Sequence, residues 1–457
     1  MIEINILDYL KKNFPYYMKG DNEEEYLEHL GFTLNTKNQY DFNHNAFSRF
    51  FLKYTDIILL KNEEELLIYN QRKGVYEINC EAKIAKAIKF VMNQAIDIWN
   101  PYYETLVLKT LKRDISKLAP NFNDGEYINL QDGILDLETY ELLEHTPEIL
   151  STVQLPFLYT KRTLADNFHK YLDDVTCGDK EKKKILQELA GYCLSNSTKA
   201  EKAFFLYGSG CNGKSVFAQV LQMLVGEGNY SNTNLSALGG NFGLASLVNA
   251  NVNIAAENSS GRINSEIFKA IVSGDTVEVN RKYKESLSIK LHTKLVLLFN
   301  TLPDSDDLSY GFFRKILIIP FDKKIEKNEM DVELLSKLEN ELPEIFHWAV
   351  EGLTRLRNNN YMFSKCTACD YALEKYKRTL NPVAEFFEEN LEVHYGDKIK
   401  RSEIYKAYSK YCSDNALELM HCQKFWRALK AHFADREINF EISKIKGYEY
   451  VRNISFQ

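Results

Sequence analysis

The pattern of hydrophobic and polar positions changes several times along the chain and predicts a series of distinct units. Apolar residues at three- and four-residue spacings predict amphipathic helices over Glu81–Trp99 and Tyr103–Leu118. Residues 127–137 alternate on both sides of a turn at Asp132 and Gly133, which predicts a β-hairpin. Residues 1–100 otherwise consist of short, turn-separated patterns that predict no function.

The pattern changes again from Phe168 onward. One helix is predicted over Phe168–Leu194, and from Phe204 the order is strand, glycine loop, helix, strand, helix, hairpin and strand. Strands that alternate with helices in this way predict an α/β nucleotide-binding core. Two further helices are predicted over Leu334–Arg357 and Cys369–Leu380.

The C-terminal segment predicts two helices followed by two strands. The helices are expected over Lys400–Asp414 and Gln423–Phe433, and the strands over Ile438–Ile442 and Tyr448–Ile454. Helix, helix and hairpin in this order predict a winged-helix domain.

Composition predicts a folded protein of several domains. The chain has 457 residues, of which 45% are hydrophobic and 26% charged, with only 9 prolines. This length exceeds what one hydrophobic core usually supports. No run of about 18 apolar residues occurs, and the N-terminus lacks a secretory signal pattern. We therefore expect a cytoplasmic protein with no membrane partner.

The eight cysteines are scattered and predict reduced thiols rather than a disulfide framework. Cys366 and Cys369 have metal-ligand spacing, and Cys412, His421 and Cys422 are the residues that would complete a zinc site. A second CxxC or HxxxH pair is missing, so the sequence disfavours a zinc site.

An eight-residue motif, Gly208–Ser215, lies between the apolar strand Phe204–Tyr207 and the apolar-periodic helix Val216–Val225. Its pattern, GxxxxGKS in this context, is that of a P-loop. Glycines let backbone N–H groups surround phosphate oxygens, Lys214 reaches the terminal phosphates, and Ser215 binds Mg²⁺. The sequence therefore predicts ATP and Mg²⁺ as ligands. The predicted nucleotide-binding residues are Gly208, Ser209, Gly210, Cys211, Asn212, Gly213, Lys214, Ser215 and Val216.

Two later strands also end in polar residues. The strand Val252–Glu257 ends in a carboxylate, and we predict Glu257 as the general base and as a second Mg²⁺ ligand; the alternative is a solvated residue at a strand end. The strand Leu295–Phe299 is followed by Asn300, whose amide would orient the attacking water or sense the γ-phosphate. Lys214, Glu257 and Asn300 are thus predicted catalytic residues.

With these elements in order, residues 80–330 resemble a superfamily 3 helicase of the poxvirus and phage/plasmid primase-helicase type. The stretches that carry the resemblance are Gly208–Ser215, Ile254–Glu257, Ser273–Asp275 with Arg281–Tyr283, Leu295–Asn300, Leu302-Pro303, Gly311–Phe321 and, upstream, Asn129–Thr152 with Leu155-Pro156. The resemblance implies a homo-hexameric ring, ATP sites between subunits, and translocation on single-stranded DNA, usually 3′ to 5′. It also implies that Arg314 is an arginine finger reaching the ATP of a neighbouring subunit; a surface arginine beside a strand is the alternative.

The chain departs from the family pattern at two places. Relatives often have paired acids where this chain has Ala256-Glu257, and paired arginines where it has Arg314-Lys315. Residues 1–100 are too short for the primase-polymerase domain that many relatives carry, and we expect no primer synthesis. A phage, satellite or other mobile element in a bacterial host is the source that the resemblance implies, with host replication proteins as further partners.

The predicted fold class is an α/β P-loop NTPase core, AAA+-like and of superfamily 3 type, with a mixed α+β N-terminal region and a C-terminal winged-helix domain. The expected limits are an N-terminal region at 1–100, a helicase-flanking collar at 101–198, the ATPase core at 199–330, a helical lid at 331–380 and the winged helix at 381–457.

Two basic segments are predicted to contact DNA. Val277–Asn280 and Leu287–Lys290 flank a hairpin tip of three cations and one aromatic residue, which suits phosphate contact and base stacking; a solvated turn is the alternative. These tip residues are Arg281, Lys282, Tyr283 and Lys284.

The second basic segment is the C-terminal one. The net charge of the chain is −7, but residues 397–457 hold twelve Lys and Arg against eight Asp and Glu, which is +4 there and −11 elsewhere. We predict duplex origin DNA as a partner, with a protein-contact module as the alternative. The residues expected at the DNA are Lys424, Arg427, Lys430 and His432 on the second helix and Lys444, Lys446 and Arg452 on the wing.

Three functions follow from these features. The first is an ATP-driven replicative DNA helicase. The second is an origin-binding initiator that uses ATP for assembly without processive unwinding. The third is a P-loop ATPase acting on protein, for which the basic hairpin tip would be dispensable.

Overall fold

A computed structural model of the chain describes residues 23–60, 65–94, 96–115, 118–119, 126–159, 162, 164–248, 250–255, 262–282, 286–326, 330–415 and 417–457. Its first part is an α+β unit. The elements are α1 Glu23–His29, β1 Phe32–Leu34, β2 Tyr40–Phe42, α2 His44–Lys53, β3 Ile57–Leu60, β4 Glu65–Asn70, β5 Val75–Glu77, α3 Glu81–Met92, α4 Pro101–Asp114 and β6 Leu118–Ala119.

The sheet of this unit has the order β5-β4-β3-β6, and α3 and α4 bury their apolar stripes in the same core as α1 and α2. The two predicted helices are present with different limits. The first ends at Met92, and the second starts at Pro101 because the Asn100 side chain accepts from the backbone N–H of Tyr103 and caps that end.

A small sheet and two helices follow. The elements are β7 Tyr127–Leu130, β8 Gly133–Asp136, β9 Leu142–Leu143, α5 Asp166–Thr176 and α6 Lys180–Leu194. The hairpin predicted at residues 127–137 is confirmed as β7–β8. The single helix predicted over Phe168–Leu194 is wrong, because Cys177 and Gly178 adopt left-handed conformations with φ of 54° and 73°. Asp179 then caps α6 by accepting from the backbone N–H groups of Glu181 and Lys182.

The centre of the molecule is a parallel five-stranded sheet with strand order β11-β12-β15-β10-β16. Its elements are β10 Ala203–Tyr207, α7 Lys214–Val225, β11 Tyr230–Ser231, α8 Leu235–Leu238, a 3₁₀ turn at Ala245–Leu247, β12 Val252–Ala255, α9 Ser265–Ser273, β13 Thr276–Val279, β14 Leu287–Lys290, β15 Lys294–Phe299, α10 Tyr310–Phe313 and β16 Ile316–Pro320. Strands β13 and β14 form a separate antiparallel hairpin.

Helices cover both faces of the parallel sheet. One face shares a single core with α5, α6, α7 and α11 Leu334–Asn358, and the other packs with α9, α10 and α12 Thr367–Leu380. Helices α6 and α11 approach closely at two glycines. A Cβ on Gly191 would lie 2.2 Å from the Ala349 oxygen, and one on Gly352 would lie 2.2 Å from the Gln187 oxygen. Only glycine therefore permits this crossing.

The C-terminal unit consists of α13 Pro382–Asn390, β17 Leu391–Lys400, α14 Arg401–Asp414, α15 Cys422–Asp435, β18 Ile442–Ile445 and β19 Tyr448–Phe456. Its antiparallel sheet has the order β17-β19-β18. The two predicted helices and the last strand are confirmed. The strand predicted at Ile438–Ile442 is wrong, because the backbone N–H of Ile438 bonds to the Phe433 oxygen at the end of α15 and pairing starts only at Ile442. Within the described part of the chain, no helix has the length and apolar character of a membrane span.

Candidate nucleotide and nucleic-acid sites

The loop of residues 208–213 is sterically restricted to glycine at key positions. Gly213 has φ +84°, and a Cβ there would lie 2.4 Å from Val175 Cγ1 on α5. At Gly208 a Cβ would lie 2.4 Å from the carbonyl oxygen of Phe321. The backbone therefore passes so close to its neighbours that no side chain fits.

Lys214 is the first residue of α7, and its ammonium lies beneath this loop. It donates to the Gly208 oxygen at 2.8 Å, to Asn300 Oδ1 at 2.8 Å and to Asn212 Oδ1 at 3.4 Å. The residue is only 6% exposed, and burial lowers the pKa of its side chain. A cation held against three neutral acceptors can bind an anion without first separating from a carboxylate.

Asn300 reaches Lys214 because β15 and β10 are parallel neighbours. Tyr207, the last residue of β10, pairs with Phe299, the last residue of β15, so the residues that follow both strands meet at one edge of the sheet. Two parts of the chain 86 residues apart thus form one polar site.

A cavity of about 1010 Å³ opens at this edge. Ser215 is exposed to it, one residue beyond Lys214 at the N-terminus of α7. The N-terminal end of a helix offers unpaired backbone N–H groups and partial positive charge, which favour phosphate. The cavity is lined by Gly210 to Val216 with Asn300 and, on its other side, by Asn167, Lys170, Tyr171, Asp174, Val175, Lys323, Ile325, Met330, Asp331, Val332 and Leu334.

Glu257, the predicted general base, lies outside the described residues. Strand β12, which leads towards it, pairs in parallel with β15 from Val252 to Ala255. The chain therefore leaves β12 at the edge of the sheet that also carries Asn300 and the glycine loop.

Arg314 lies at the opposite edge. It precedes β16, which is parallel to β10 and pairs with it from Ala203↔Ile316 to Tyr207↔Pro320. About 15 Å of strand thus separates Arg314 from the glycine loop of its own chain. Its side chain is 49% exposed and contacts Glu201 at 3.1 Å.

Lys315, the neighbour of Arg314, turns into the interior. Its side chain is 6% exposed and its ammonium contacts Glu201 at 2.8 Å and Ser273 Oγ at 2.5 Å. The hydrogen bond from Lys315 holds the pKa of Glu201 below its usual value. Lys202 is a half-buried cation beside Arg314: its ammonium donates to the Arg314 carbonyl oxygen, and burial lowers the pKa of its side chain. Sequence reasoning missed Lys202 because nothing in its local pattern distinguishes it.

The predicted basic hairpin is present as β13–β14, with Arg281 and Lys282 after its first strand. Tyr283 and Lys284 lie outside the described residues. The Lys282 ammonium lies 5.9 Å from the ring centroid of Phe242, which is 49% exposed. Phe242 was not predicted, although its position among Gly239, Gly240 and Gly243 is a signal for an exposed aromatic residue in a tight loop.

On the C-terminal unit, Arg427 and Lys430 are exposed on α15, and Lys444, Lys446 and Arg452 are exposed on β18, the following turn and β19. Lys424 points instead towards the central unit, with its ammonium 3.8 Å from Asp304 Oδ1. His432 packs on Phe387 and contacts Glu388 at 3.2 Å, so it faces α13.

Cys366 and Cys369 are buried in the core that contains α6 and α11, whereas Cys412 is buried in the core of the C-terminal unit. The zinc-ligand set weighed from the sequence is therefore divided between two cores. Within the described ranges, no three His, Cys, Asp or Glu side chains are grouped as metal ligands.

Three protein-family models match the chain. They are described as D5 N terminal like over residues 51–177, a family of unknown function over residues 206–314, and Poxvirus D5 protein-like over residues 378–457. The first and third matches belong to the same group of proteins and lie on either side of the central sheet.

Two curated proteins are similar in sequence. A putative helicase, L207/L206, of Acanthamoeba polyphaga mimivirus is 26% identical over 251 residues, which are 51% of this chain and 25% of that protein. An uncharacterized mitochondrial protein, ymf21, of Marchantia polymorpha is 25% identical over 154 residues, which are 30% of this chain and 86% of that protein. The chain thus spans about a quarter of the length of the mimivirus protein.

Among solved structures, the apo A form of the NrS-1 C-terminal region is similar with a TM-score of 0.52 at 12% identity, covering 88% of this chain and 97% of that one. A second apo structure of that region gives a TM-score of 0.50 at 11% identity and covers 89% and 97%. The likeness establishes a shared mixed α/β fold with a parallel sheet. The two D5 family matches and the similarity to a putative helicase support a D5-type primase-helicase superfamily for this chain.

Proposed function

We propose that the protein is an ATP-dependent DNA helicase that acts in replication initiation. One observation carries the proposal: the Lys214 ammonium lies between the glycine loop and Asn300, at the mouth of a cavity of about 1010 Å³. The D5-type relatives, one of them named a putative helicase, support the assignment to DNA replication.

The residues present fit ATP and Mg²⁺. The glycine loop and the N-terminus of α7 supply backbone N–H groups for phosphate oxygens, and Gly208 and Gly213 leave no side chain in their way. Lys214 would pair with the terminal phosphates, and Ser215 would hold Mg²⁺ together with Glu257. Bound Mg²⁺ would neutralise phosphate charge, and Asn300 would orient the attacking water.

The position of Arg314 supports ATP sites shared between subunits, as in the homo-hexameric ring that we propose. Because this residue lies at the far edge of its own sheet, it can act on ATP only across a subunit boundary. We assign Arg314 as the arginine finger and Lys202 as a second cation beside it, whereas Lys315 stabilises the fold through Glu201.

Single-stranded DNA would be held by the hairpin tip with Phe242. Lys282 supplies charge for a phosphate, and the exposed phenyl ring beside it supplies a stacking surface for a base. The C-terminal unit, assigned as a winged helix, would hold duplex origin DNA through Arg427, Lys430 and the wing lysines.

The test is ATP-dependent separation of a forked duplex by the purified full chain. Wild type should separate the strands, Lys214→Ala should lose both ATP hydrolysis and strand separation, and Lys282→Ala should lose strand separation while its ATP hydrolysis without DNA survives. Lys290→Ala is the matched control, since Lys290 lies at the base of the same hairpin and should behave as wild type.

Two other results would redirect the assignment. ATP hydrolysis without any strand separation by wild type would support an initiator that uses ATP for assembly, and origin binding would be measured next. If charge reversal at Arg281 and Lys282 left the activity of the protein unchanged, DNA translocation would be excluded. That result would support an ATPase that acts on protein.

A further inference from the structure

The N-terminal unit carries a concentrated basic surface that the proposed site does not use. It lies on the solvent side of α3 and α4, and we call it the α3–α4 face. Its members are Lys86 and Lys89 on α3, Trp99 in the connection, and Tyr102, Lys109, Lys112 and Arg113 on α4. Five cations and two aromatic rings thus lie within 28 residues of a chain whose net charge is −7.

Helical periodicity places these side chains together. On α4, Tyr102, Lys109 and Arg113 are spaced by seven and four residues and are all exposed, while Val107, Thr110 and Leu111 bury the opposite side. On α3, Lys86 and Lys89 are three residues apart and exposed, opposite Ile84, Ile88 and Val91 in the core.

Two contacts join the helices into one surface. Lys112 on α4 contacts Glu81 at the start of α3 at 3.0 Å, and the Lys89 ammonium lies 4.1 Å from the ring centroid of Trp99. Acidic side chains lie at the two ends of α3 and are engaged, Glu81 with Lys112 and Asp97 with the amide of Asn93 at 2.6 Å. Two further acids lie on α4: Glu104 accepts from the Trp99 indole N–H at 3.0 Å, and Asp114 is exposed next to Arg113. The five cations of the face still outnumber these acids.

We propose that the α3–α4 face binds single-stranded DNA, a proposal that rests on the helicase function above and adds a second contact to it, distinct from the hairpin tip. Phosphates pair with Lys86, Lys109 and Arg113, and an unpaired base stacks on Tyr102, whose ring is 68% exposed. Base stacking on an exposed ring requires a free base face, which a duplex does not offer. The N-terminal unit therefore holds a single strand at a site separate from the hairpin tip.

The test measures the anisotropy of a fluorescein-labelled dT oligonucleotide and of a duplex of equal length, with the full chain at several salt concentrations. The test variant is the triple Lys86→Glu, Lys109→Glu and Arg113→Glu. The control triple is Lys37→Glu, Lys180→Glu and Lys184→Glu, which makes the same charge change at exposed positions elsewhere. ATP hydrolysis without DNA and the midpoint of thermal unfolding should match wild type for both.

Loss of three phosphate contacts should weaken oligonucleotide binding at least about 10-fold beyond the control and lower the slope of log Kd against log salt by about 2, at roughly 0.7 per contact. Tyr102→Ala should weaken oligonucleotide binding several-fold and leave duplex binding unchanged, while Tyr102→Phe should retain both. The proposal would be overturned if the test and control triples bound the oligonucleotide equally well. It would also be overturned if Tyr102→Ala weakened duplex binding as much as oligonucleotide binding.

The outcomes also separate this inference from the helicase assignment. If wild type binds the oligonucleotide through this face yet never separates a fork, the α3–α4 face stands and the helicase assignment falls. If Lys282→Ala alone abolishes oligonucleotide binding and the test triple does not, the helicase assignment stands and this inference falls.

Discussion

The hydroxyl of Tyr171 donates a hydrogen bond of 2.9 Å to the carbonyl oxygen of Gly213, the residue immediately before Lys214. Tyr171 lies on α5, 42 positions from its partner, and is buried, and this burial raises the pKa of its hydroxyl far above the usual value. The helix that precedes the central sheet therefore fixes the loop on which the nucleotide site depends.

Tyr171→Phe should weaken nucleotide binding without unfolding the protein. The variant keeps the ring against Gly213 and removes one hydrogen bond, a loss of about 1 kcal/mol or roughly five-fold in affinity. Fluorescence titration with an ATP analogue would measure the change. A lowered midpoint of thermal unfolding with unchanged nucleotide affinity would instead assign Tyr171 to the core alone.

Mixing two inactive variants should restore ATP hydrolysis if the sites are shared between subunits. Lys214→Ala lacks the cation of the loop, and Arg314→Ala lacks the residue at the opposite edge. In mixed assemblies, a subunit with intact Lys214 can face one with intact Arg314, and turnover should rise with the fraction of such boundaries. A mixture as inactive as its components would contradict trans action by Arg314.

Lys315→Met and Arg314→Ala should differ in their effect on thermal stability. Removing the buried ammonium breaks its hydrogen bonds with Glu201 and Ser273, but Glu201 is 38% exposed and keeps Arg314 as a partner, so the cost should be about 1–3 kcal/mol. We expect a clear fall in thermal stability for Lys315→Met and almost none for Arg314→Ala, measured by differential scanning fluorimetry. Similar stability losses in both would mean that Arg314 is also a structural residue.

Phe242→Ala should lower the affinity for single-stranded DNA while leaving ATP hydrolysis without DNA unchanged. One stacking contact contributes about 1–3 kcal/mol, so the loss should exceed five-fold. Phe242→Trp should retain binding because it keeps an aromatic ring beside Lys282. Equal affinities of the alanine variant and wild type for a dT oligonucleotide would exclude Phe242 from the DNA path.

The buried residue Lys294 should make stability depend on pH. Burial lowers the pKa of its ammonium to about 7, and the side chain donates to the Ser195 carbonyl oxygen. The unfolded chain holds this proton up to about pH 10.4. Between pH 7 and 10 the unfolded state therefore binds more protons, and folded-state stability rises with pH. The midpoint of thermal unfolding should rise less over this window in Lys294→Met than in wild type, whereas parallel curves would contradict the assignment.

Local pattern predicted the elements that depend on local chemistry. The glycine loop, the strand before Asn300 and the β13–β14 hairpin were found because strand and turn signals lie close together in sequence. The break at Cys177 was missed because a non-glycine residue there adopts a left-handed conformation, with φ of 54°. Strand β17 was missed because its exposed segment, residues 392–398, mixes charged, aromatic and glycine residues and follows no two-residue alternation.

Contacts between segments that are distant in sequence could not be predicted from local pattern. The contact of Lys214 with Asn300 depends on which strands are neighbours, and the contact of Lys424 with Asp304 depends on how the C-terminal helix packs on the central unit. Arg314 and Lys315 both contact Glu201, but only the Lys315 side chain is buried, and local pattern does not distinguish these two neighbours. In all these cases the residue type indicated a role, but the sequence did not indicate which residue it contacts.

The glycine crossing of α6 and α11 bears on how the protein can be dissected. Gly191 and Gly352 bring a helix before the central sheet against a helix after it, with no room for a methyl group at either position. A fragment limited to residues 199–330 would therefore lose both helices and present a bare apolar sheet face to water. Such a piece should aggregate rather than hydrolyse ATP, so the smallest active fragment must begin before α5 and extend beyond α11.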